Sequence, residues 1–339
     1  MFFYDVRMAI ASGKQPLMSF AELTFNLPAA PQLWGAESAE QWRKGSNELS
    51  RGLRGLPRVA DLMEGLGLVA RRGTDEHDDD LSTKAILHGF YGLTAAYRET
   101  LKSYMAGPRS VPSVYNLPPR PASLLTLHED LYRDVCDFSR HIDGPHGGSA
   151  LFVFAEFLKL LMFVSVDYLQ TLSDTAGPVE LGRAFRSIEQ EWSVKNYSRY
   201  ALWHAAQVIR HAKNLPLGGL YGTNGVAVYY AGLALWAYGL ISGRVATVGT
   251  WRPPGTAATE EPGLVVMDEE ETPAVRAFLD DNVGAPAVTL DKGPEEERKH
   301  VLDAARGLFL EHYAHEKEAM PPMVSKFVRS LTRVKAGKY

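Results

Sequence analysis

Cysteine is almost missing from this chain: Cys136 is the single cysteine among 339 residues. One thiol excludes a disulfide within the chain and any zinc site built from several of its cysteines. A chain without disulfides fits a reducing compartment. Asp134 and Asp137 flank the thiol, and negative charge disfavours the thiolate form that a reactive cysteine needs. The sequence therefore predicts no catalytic cysteine.

A basic surplus is also missing, since 36 Lys and Arg face 40 Asp and Glu, for a net charge of −4. A protein that binds nucleic acid by itself usually carries clustered positive charge. Strong binding to DNA would therefore have to come from another segment. The C-terminal tail is locally basic, through Lys326, Arg329, Arg333, Lys335 and Lys338. Two interpretations stay open for it: contact with nucleic acid or nuclear import, or cations that suit the end of a helix dipole.

The usual signatures of catalysis are absent from the sequence as well. The glycine-rich stretch LPLGGLYGTNG (215–225) lacks the Lys-Ser/Thr ending of a nucleotide-binding loop, and there is no nucleophile elbow. The first residues, MFFYDVRMAIASGK, place Asp5 and Arg7 inside the apolar stretch that a secretory signal would keep uncharged. We therefore expect no enzymatic activity, no catalytic or cofactor-binding residues and no bound metal.

Helical periodicity dominates what is present, and alternation typical of strands is not evident. The pattern predicts an all-α fold, an irregular multi-helix domain with long loops. The expected organisation is an N-terminal segment (1–20), a helical regulatory core (21–245), a linker or partly ordered insertion rich in Pro, Gly and acid (246–293), and a C-terminal helical part of the same domain (294–339).

Individual helices are predicted from apolar spacing and from start and stop signals. One is expected to begin near Ser38, whose hydroxyl precedes Glu40 and Gln41 in a capping arrangement. Further helices are expected at 82–105, 123–142, 149–174 as one long apolar helix, 177–195, 198–214, 225–241, from Pro294 onward, and 321–338.

The longest uncharged run is VAVYYAGLALWAYGLISG (226–243). A membrane span is one interpretation, because about 20 apolar residues cross a bilayer. Gly225, Gly232 and Gly239 recur every seven residues and indicate close approach by a neighbouring helix. The polar tips of Tyr229 and Trp236 lie along the run rather than at its ends. A helix buried inside the protein is therefore favoured over a span.

An acidic run, Asp75–Asp80, precedes the helix predicted at 82–105. In a helical protein it resembles the aspartate-rich motif of isoprenoid synthases, in which carboxylates hold metal ions against a diphosphate. That chemistry needs a second metal motif on a facing helix, and the sequence does not contain one. A solvated loop before a helix is the favoured interpretation, and the metal-dependent enzyme is kept as an alternative.

Four histidines are candidate metal ligands. His312 and His315, with neighbouring Glu311 and Glu316, lack the spacing of a zinc protease motif, which favours a solvated helix end. His204 and His211 lie seven apart on one predicted helix face, and we expect histidines satisfied by packing rather than metal ligands.

Several stretches, taken in order, resemble the regulatory, or middle homology, domain of fungal-specific transcription factors. The nearest branch carries two-Cys-two-His zinc fingers or a binuclear zinc cluster upstream. The stretches are ELTFNLPAAPQLWGAESAEQW (22–42), ILHGFYG (86–92), LKLLMFVSVDYLQTLSDTAG (158–177), RYALWHAAQVIRHAK (199–213), AVYYAGLALWAYGLI (227–241) and MPPMVSKFVRSLTRV (320–334).

This resemblance implies an α-helical, nuclear domain that modulates transcription by RNA polymerase II through a small-molecule effector or protein partners of the transcription machinery. DNA and zinc would be bound only by an upstream module, whose cysteines this chain lacks. A fragment, a truncated gene product and a relative that has lost its fingers all remain open.

A pocket for an effector or partner is expected where the helices of 199–213 and 226–241 meet. The residues expected to border it are Trp203, His204, Tyr229, Tyr230 and Trp236.

Overall fold

The computed structural model describes residues 1–19, 22, 31–50, 79–106, 122–142, 148–173, 177–194, 196–241, 246–249, 263–290, 301–314 and 320–336. The chain divides into two compact units, Met1–Leu151 (unit 1) and Phe152–Tyr339 (unit 2). The boundaries predicted from composition, at 20, 245 and 293, remain predictions.

The described residues are predominantly helical, which confirms the all-α fold class. The elements of unit 1 are α1 (Phe2–Ser12), α2 (Pro31–Trp34), α3 (Ala39–Ser50), α4 (Asp79–Ala106) and α5 (Ala122–Ile142). Those that follow are α6 (Ser149–Phe163), α7 (Val166–Ser173), α8 (Pro178–Trp192), α9 (Tyr197–Lys213), α10 (Gly222–Ile241), β1 (Ala246–Gly249), β2 (Leu264–Val266), α11 (Pro273–Asp281), β3 (Ala285–Leu290), α12 (Leu302–Tyr313) and α13 (Pro322–Lys335).

Unit 1 packs α1 and α5 against α4. The helix start predicted near Ser38 is confirmed, because the Ser38 hydroxyl accepts the backbone N–H of Gln41 at 3.1 Å. Such a cap satisfies one of the N–H groups that a helix start leaves unpaired. Helix α1 ends before Gly13, whose φ of 65° is a left-handed conformation that stops the helix.

Unit 2 is built around α10, which packs against α7, α8, α9, α12 and α13. Every residue from Gly225 to Tyr238 is buried, so the predicted buried helix is confirmed. A methyl group built on Gly232 would lie 2.7 Å from Cβ of Ala305 on α12. The predicted close approach of a neighbouring helix is therefore confirmed at this glycine.

The long apolar helix predicted over 149–174 is wrong in one respect: it is two helices, α6 and α7, joined by a 92° bend. Residues 164–165 lie between them, and Ser165, a residue type favoured before a helix, accepts the N–H of Leu169 with its backbone carbonyl. The carbonyl of Phe163 accepts the indole N–H of Trp192 at 3.0 Å. This tertiary hydrogen bond satisfies a group at the break, and apolar periodicity carries no signal of it.

The stretch predicted to be a linker or partly ordered insertion, 246–293, contains in its described residues a three-stranded parallel sheet in the order β1-β3-β2. Helix α11 connects β2 to β3, as parallel neighbours require a crossover. Its apolar face buries Val275, Phe278 and Leu279. Strands of only three to six residues are too short to show a clear alternation, and the Pro, Gly and acidic residues around them are typical of a loop.

Candidate functional site

The five residues predicted to border a pocket all lie in the interior of unit 2, none more than 9% exposed. Tyr229 and Tyr230 are in contact, with ring centroids 5.2 Å apart. Their further aromatic contacts, however, are with different helices. Tyr229 stacks on Phe327 of α13, Tyr230 on Phe157 of α6, and Trp236 lies against Phe185 of α8.

His204 of α9, one of those five, is hydrogen-bonded to a buried ion pair on α6. Its Nδ1 lies 2.7 Å from Oε2 of Glu156, and Nζ of Lys159 donates to Oε1 of the same carboxylate, also at 2.7 Å. Lys159 follows Glu156 by three residues, which places both on one side of α6. The three side chains, the buried charge cluster, are each at least nine-tenths buried as residues.

The charge state of the cluster follows from its surroundings. Burial alone would raise the pKa of Glu156, but the charges of Lys159 and His204 and their hydrogen bonds outweigh it and hold that pKa at about 2. Burial lowers the pKa of His204, against the opposing attraction of Glu156. At neutral pH the cluster therefore holds a carboxylate, an ammonium and a neutral imidazole. Because a carboxylate only accepts hydrogen bonds, Nδ1 of His204 carries the ring proton.

Aromatic rings enclose His204. Phe163 of α6 stacks at 5.8 Å between centroids and Tyr200 of α9 at 6.3 Å. These two rings also stack on each other at 5.4 Å. The imidazole is thus fixed in orientation, and the apolar rings strengthen the electrostatic interactions beside them by excluding water. His204 is thus both hydrogen-bonded and packed against aromatic rings, and His211 stacks on Phe152 at 5.0 Å between centroids.

Glu156 and Lys159 were not among the site residues predicted from the sequence. A charged pair three residues apart in an otherwise apolar helix was the available signal. What the sequence could not indicate is the partner, because His204 lies 48 residues further along the chain.

A second polar cluster joins α9 to the sheet segment (residues 263–290). Nζ of Lys213 lies 2.9 Å from Oδ2 of Asp268, whose side chain is fully buried. The backbone N–H of Thr289 donates to the other carboxylate oxygen at 2.8 Å. Gln207 donates to the carbonyls of Met267 and Glu269, both at 2.8 Å. Helix α9 therefore holds both α6 and the sheet segment through polar contacts.

The other candidates from sequence are placed as follows. Residues 75–78 of the acidic run, like His315 and Glu316, lie outside the described residues. His312 is buried rather than solvated, at 5% exposed, because its helix packs on α10. Within the described ranges, no group of three or more His, Cys, Asp or Glu side chains is arranged to hold a metal ion.

Over the described part of the chain, one helix, α10, has the length and apolar composition to cross a membrane, and α6 with α7 would qualify only as a sharply bent pair. A core helix has the same composition, and α10 is surrounded by five other helices.

Comparisons with protein-family models, with curated proteins and with solved structures find no match for this chain.

Proposed function

We propose that the chain is a regulatory and interaction domain of a fungal RNA polymerase II transcription factor, which acts in the nucleus and modulates transcription by binding an effector or a protein partner. DNA and zinc belong to a separate module in this proposal. The observation that carries it is the ordered set of six stretches resembling such domains.

The placement of those stretches supports the proposal. Four of the six stretches lie in unit 2. The first covers the end of α6 and all of α7, and the other three fall on α9, α10 and α13. They are the elements that enclose the core around α10, with contacts from α10 to α7, α9 and α13. A shared pattern of core residues is what a common helical fold would maintain. The resemblance thus rests on residues that determine packing.

The depth of the five predicted pocket residues narrows the kind of ligand. Because Trp203, His204, Tyr229, Tyr230 and Trp236 are buried, a protein partner would bind elsewhere on the surface. Only a small molecule entering the interior of unit 2 would meet them. The effector arm of the proposal therefore predicts a change in tryptophan fluorescence when such a molecule binds.

The test is to tether the whole chain to an unrelated DNA-binding domain in a fungal cell and to measure a reporter gene transcribed by RNA polymerase II. We expect a severalfold change in reporter RNA, of either sign, relative to the DNA-binding domain alone. A well-expressed nuclear fusion with unchanged reporter RNA would count against the proposal.

A matched pair of variants on α10 shows whether the effect needs the fold. Leu235 is fully buried, whereas Leu240 is 53% exposed on the same helix. Leu235→Ser should abolish the effect by disrupting the core, and Leu240→Ser should retain it. If Leu235→Ser changed reporter RNA as much as Leu240→Ser, an unfolded chain would suffice, which contradicts a folded regulatory domain.

A further inference from the structure

Helix α13 carries an exposed hydroxyl group where it meets α12. Nε of Arg306 on α12 donates to Oγ1 of Thr332 at 3.1 Å, and that hydroxyl donates to the carbonyl of Val328, one turn earlier, at 2.8 Å. Thr332 is not among the buried residues of its helix, and its side chain is exposed. A guanidinium therefore lies against a hydroxyl group that solvent and other molecules can reach.

Further cations lie one turn to each side of Thr332. Arg329 precedes it by three residues and Lys335 follows it by three, a spacing at which side chains are neighbours on a helix surface. Nζ of Lys335 donates to Oδ2 of Asp303 on α12 at 2.7 Å, whereas Nε of Arg329 donates to a carbonyl of its own helix at 3.3 Å. With Arg306, three cations and one carboxylate give these four side chains a net charge of +2.

We propose that Thr332 is a phosphorylation site for a protein kinase that selects basic residues before the acceptor, and that its phosphate joins α12 to α13. In this reaction the γ-phosphoryl group of ATP moves to Oγ1 of Thr332. The new P–O bond forms as the bond between the β- and γ-phosphates breaks, ADP leaves, and the hydroxyl proton is taken up by a base of the kinase. The site does not depend on the proposed function.

The residues before Thr332 fit such a kinase. Lys326 and Arg329 are both exposed, and kinases recognise their substrates partly by charge patterns of this kind. Thr332 also lies in the last turn of α13, which ends at Lys335, and helix ends fray more easily than helix centres. A kinase can therefore bind the acceptor after a single turn of helix has opened.

A phosphate on Thr332 would find a binding partner already in place. It brings a charge of about −1.5 to −2 and three acceptor oxygens, and guanidinium groups bind phosphate through two parallel hydrogen bonds. Nε of Arg306 is already directed at Oγ1. Negative charge near a helix C-terminus opposes the helix dipole, so within α13 alone the phosphate would be unfavourable. The contact with Arg306 on α12 therefore determines whether the phosphate stabilises the helix pair.

Two other hydroxyl groups provide matched controls. Thr126 of α5 is exposed and donates to the carbonyl four residues earlier, as Thr332 does, but no Lys or Arg lies within three residues of it in the sequence. Ser330 of α13 is buried and hydrogen-bonded to Tyr229 and to the carbonyl of Ser173. The folded chain should therefore protect Ser330 from a kinase, although it lies beside the same cations.

The first test treats the whole folded chain with magnesium, ATP and the catalytic domain of a kinase that selects arginine three residues before the acceptor. Mass spectrometry maps the phosphate, which we expect on Thr332 and not on Thr126 or Ser330. Arg329→Gln, a change at an exposed residue, should lower the initial rate at Thr332 about tenfold, because a charge-assisted contact with the kinase is lost. An unmodified Thr332, equal modification of either control, or an unchanged rate in Arg329→Gln overturns the proposal.

The second test measures the effect of the phosphate without a kinase, on a whole chain made with phosphothreonine at position 332. Hydrogen exchange gives the opening equilibrium of the amides in α12 and α13, which should fall about fivefold relative to the unmodified chain. In Arg306→Gln, which removes the charge at a partly exposed residue, the same phosphate should give no decrease. A fivefold decrease in both backgrounds, or in neither, overturns the proposal.

Discussion

At the scale of single residues, Gly232 shows how tightly the core of unit 2 is packed. Cβ of Ala305 approaches the position that a side chain on Gly232 would occupy. Glycine costs about 1 kcal/mol relative to alanine inside a helix. This cost is offset because the absence of a side chain lets α10 and α12 approach closely, so that the apolar side chains of the two helices pack together.

Gly232→Ala should therefore destabilise unit 2 by about 1–3 kcal/mol, because the new methyl group overlaps Ala305 and the helices must separate. Gly307 of α12 is the matched control, since nothing lies within 4 Å of a methyl group built there. Gly307→Ala should be neutral or stabilise by up to about 1 kcal/mol. Urea unfolding measures both, and equal effects would contradict the close approach.

His88 on α4 sets a pH dependence for unit 1. Its Nδ1 lies 2.6 Å from the carbonyl of Lys84, and its ring meets Phe3 of α1 edge-on at 4.9 Å. Burial lowers the pKa of His88 to about 4. Because the unfolded imidazole titrates higher, stability contributed by the neutral ring is complete above about pH 6.5 and is lost as pH falls toward 4.

We expect that loss to reach about 3 kcal/mol at most. Hydrogen exchange of α1 and α4 between about pH 7 and about pH 4 measures it in the full chain. His88→Asn should flatten the dependence in these two helices, and an unchanged profile would show that another group causes it.

At the scale of elements, the bend between α6 and α7 receives a hydrogen bond from a residue distant in the sequence. Trp192, at the end of α8, donates its indole N–H to the carbonyl of Phe163 and lies against Tyr238 of α10. The bend turns α7 toward α8 and α10, where Leu169 and Leu172 are fully buried.

Trp192→Phe keeps an aromatic ring against Tyr238 but leaves the Phe163 carbonyl without its donor. An unsatisfied buried carbonyl costs about 1–3 kcal/mol, so the free energy of unfolding should fall by that amount. Phe185→Leu on α8 provides a comparison that changes an aromatic contact, with Trp236, without removing a hydrogen bond. A Trp192→Phe variant as stable as wild type would show that water satisfies the carbonyl.

The sheet segment is attached to α9 through a buried charge. Asp268→Asn leaves Lys213 without its counter-ion, and breaking a buried pair costs about 3–5 kcal/mol. Lys213 is partly exposed, so we expect a loss near the lower end, about 3 kcal/mol. Arg276 and Glu271 form an exposed pair in the same segment, and Arg276→Met should change stability by less than about 1 kcal/mol. Similar losses in the two variants would contradict the buried attachment.

Sequence could predict the helices of this fold better than their interruptions. The helix expected at 82–105 is Asp79–Ala106 in the structure, and that expected at 123–142 is Ala122–Ile142, because apolar spacing and caps are local. The carbonyl beside the break at 164–165 is hydrogen-bonded to Trp192, and strand β1 pairs with β3 some 40 residues later. Pairings of this kind leave no periodic mark on either segment.

At the scale of the whole molecule, the candidate site was only half predictable. A buried interior around α9 and α10 follows from their apolar composition, and His204 was singled out from it. The carboxylate and ammonium that meet His204 come from α6, and their pairing depends on how α6 and α9 pack. Burial and charge together define that cluster, and burial of single charged residues is what a sequence indicates least well.

The position of α10 in the chain also has a consequence for biosynthesis. When α10 leaves the ribosome, α7, α8 and α9 are already made, but α13 begins about 80 residues later. At about 5–20 residues per second, that interval lasts roughly 4–16 s. Until then, the surface of α10 around Tyr229 and Gly232, which packs against α12 and α13 in the folded protein, is uncovered in the nascent chain. A chaperone that binds apolar helices has its target during this interval, and translation that stalls before α13 would leave that surface open to aggregation.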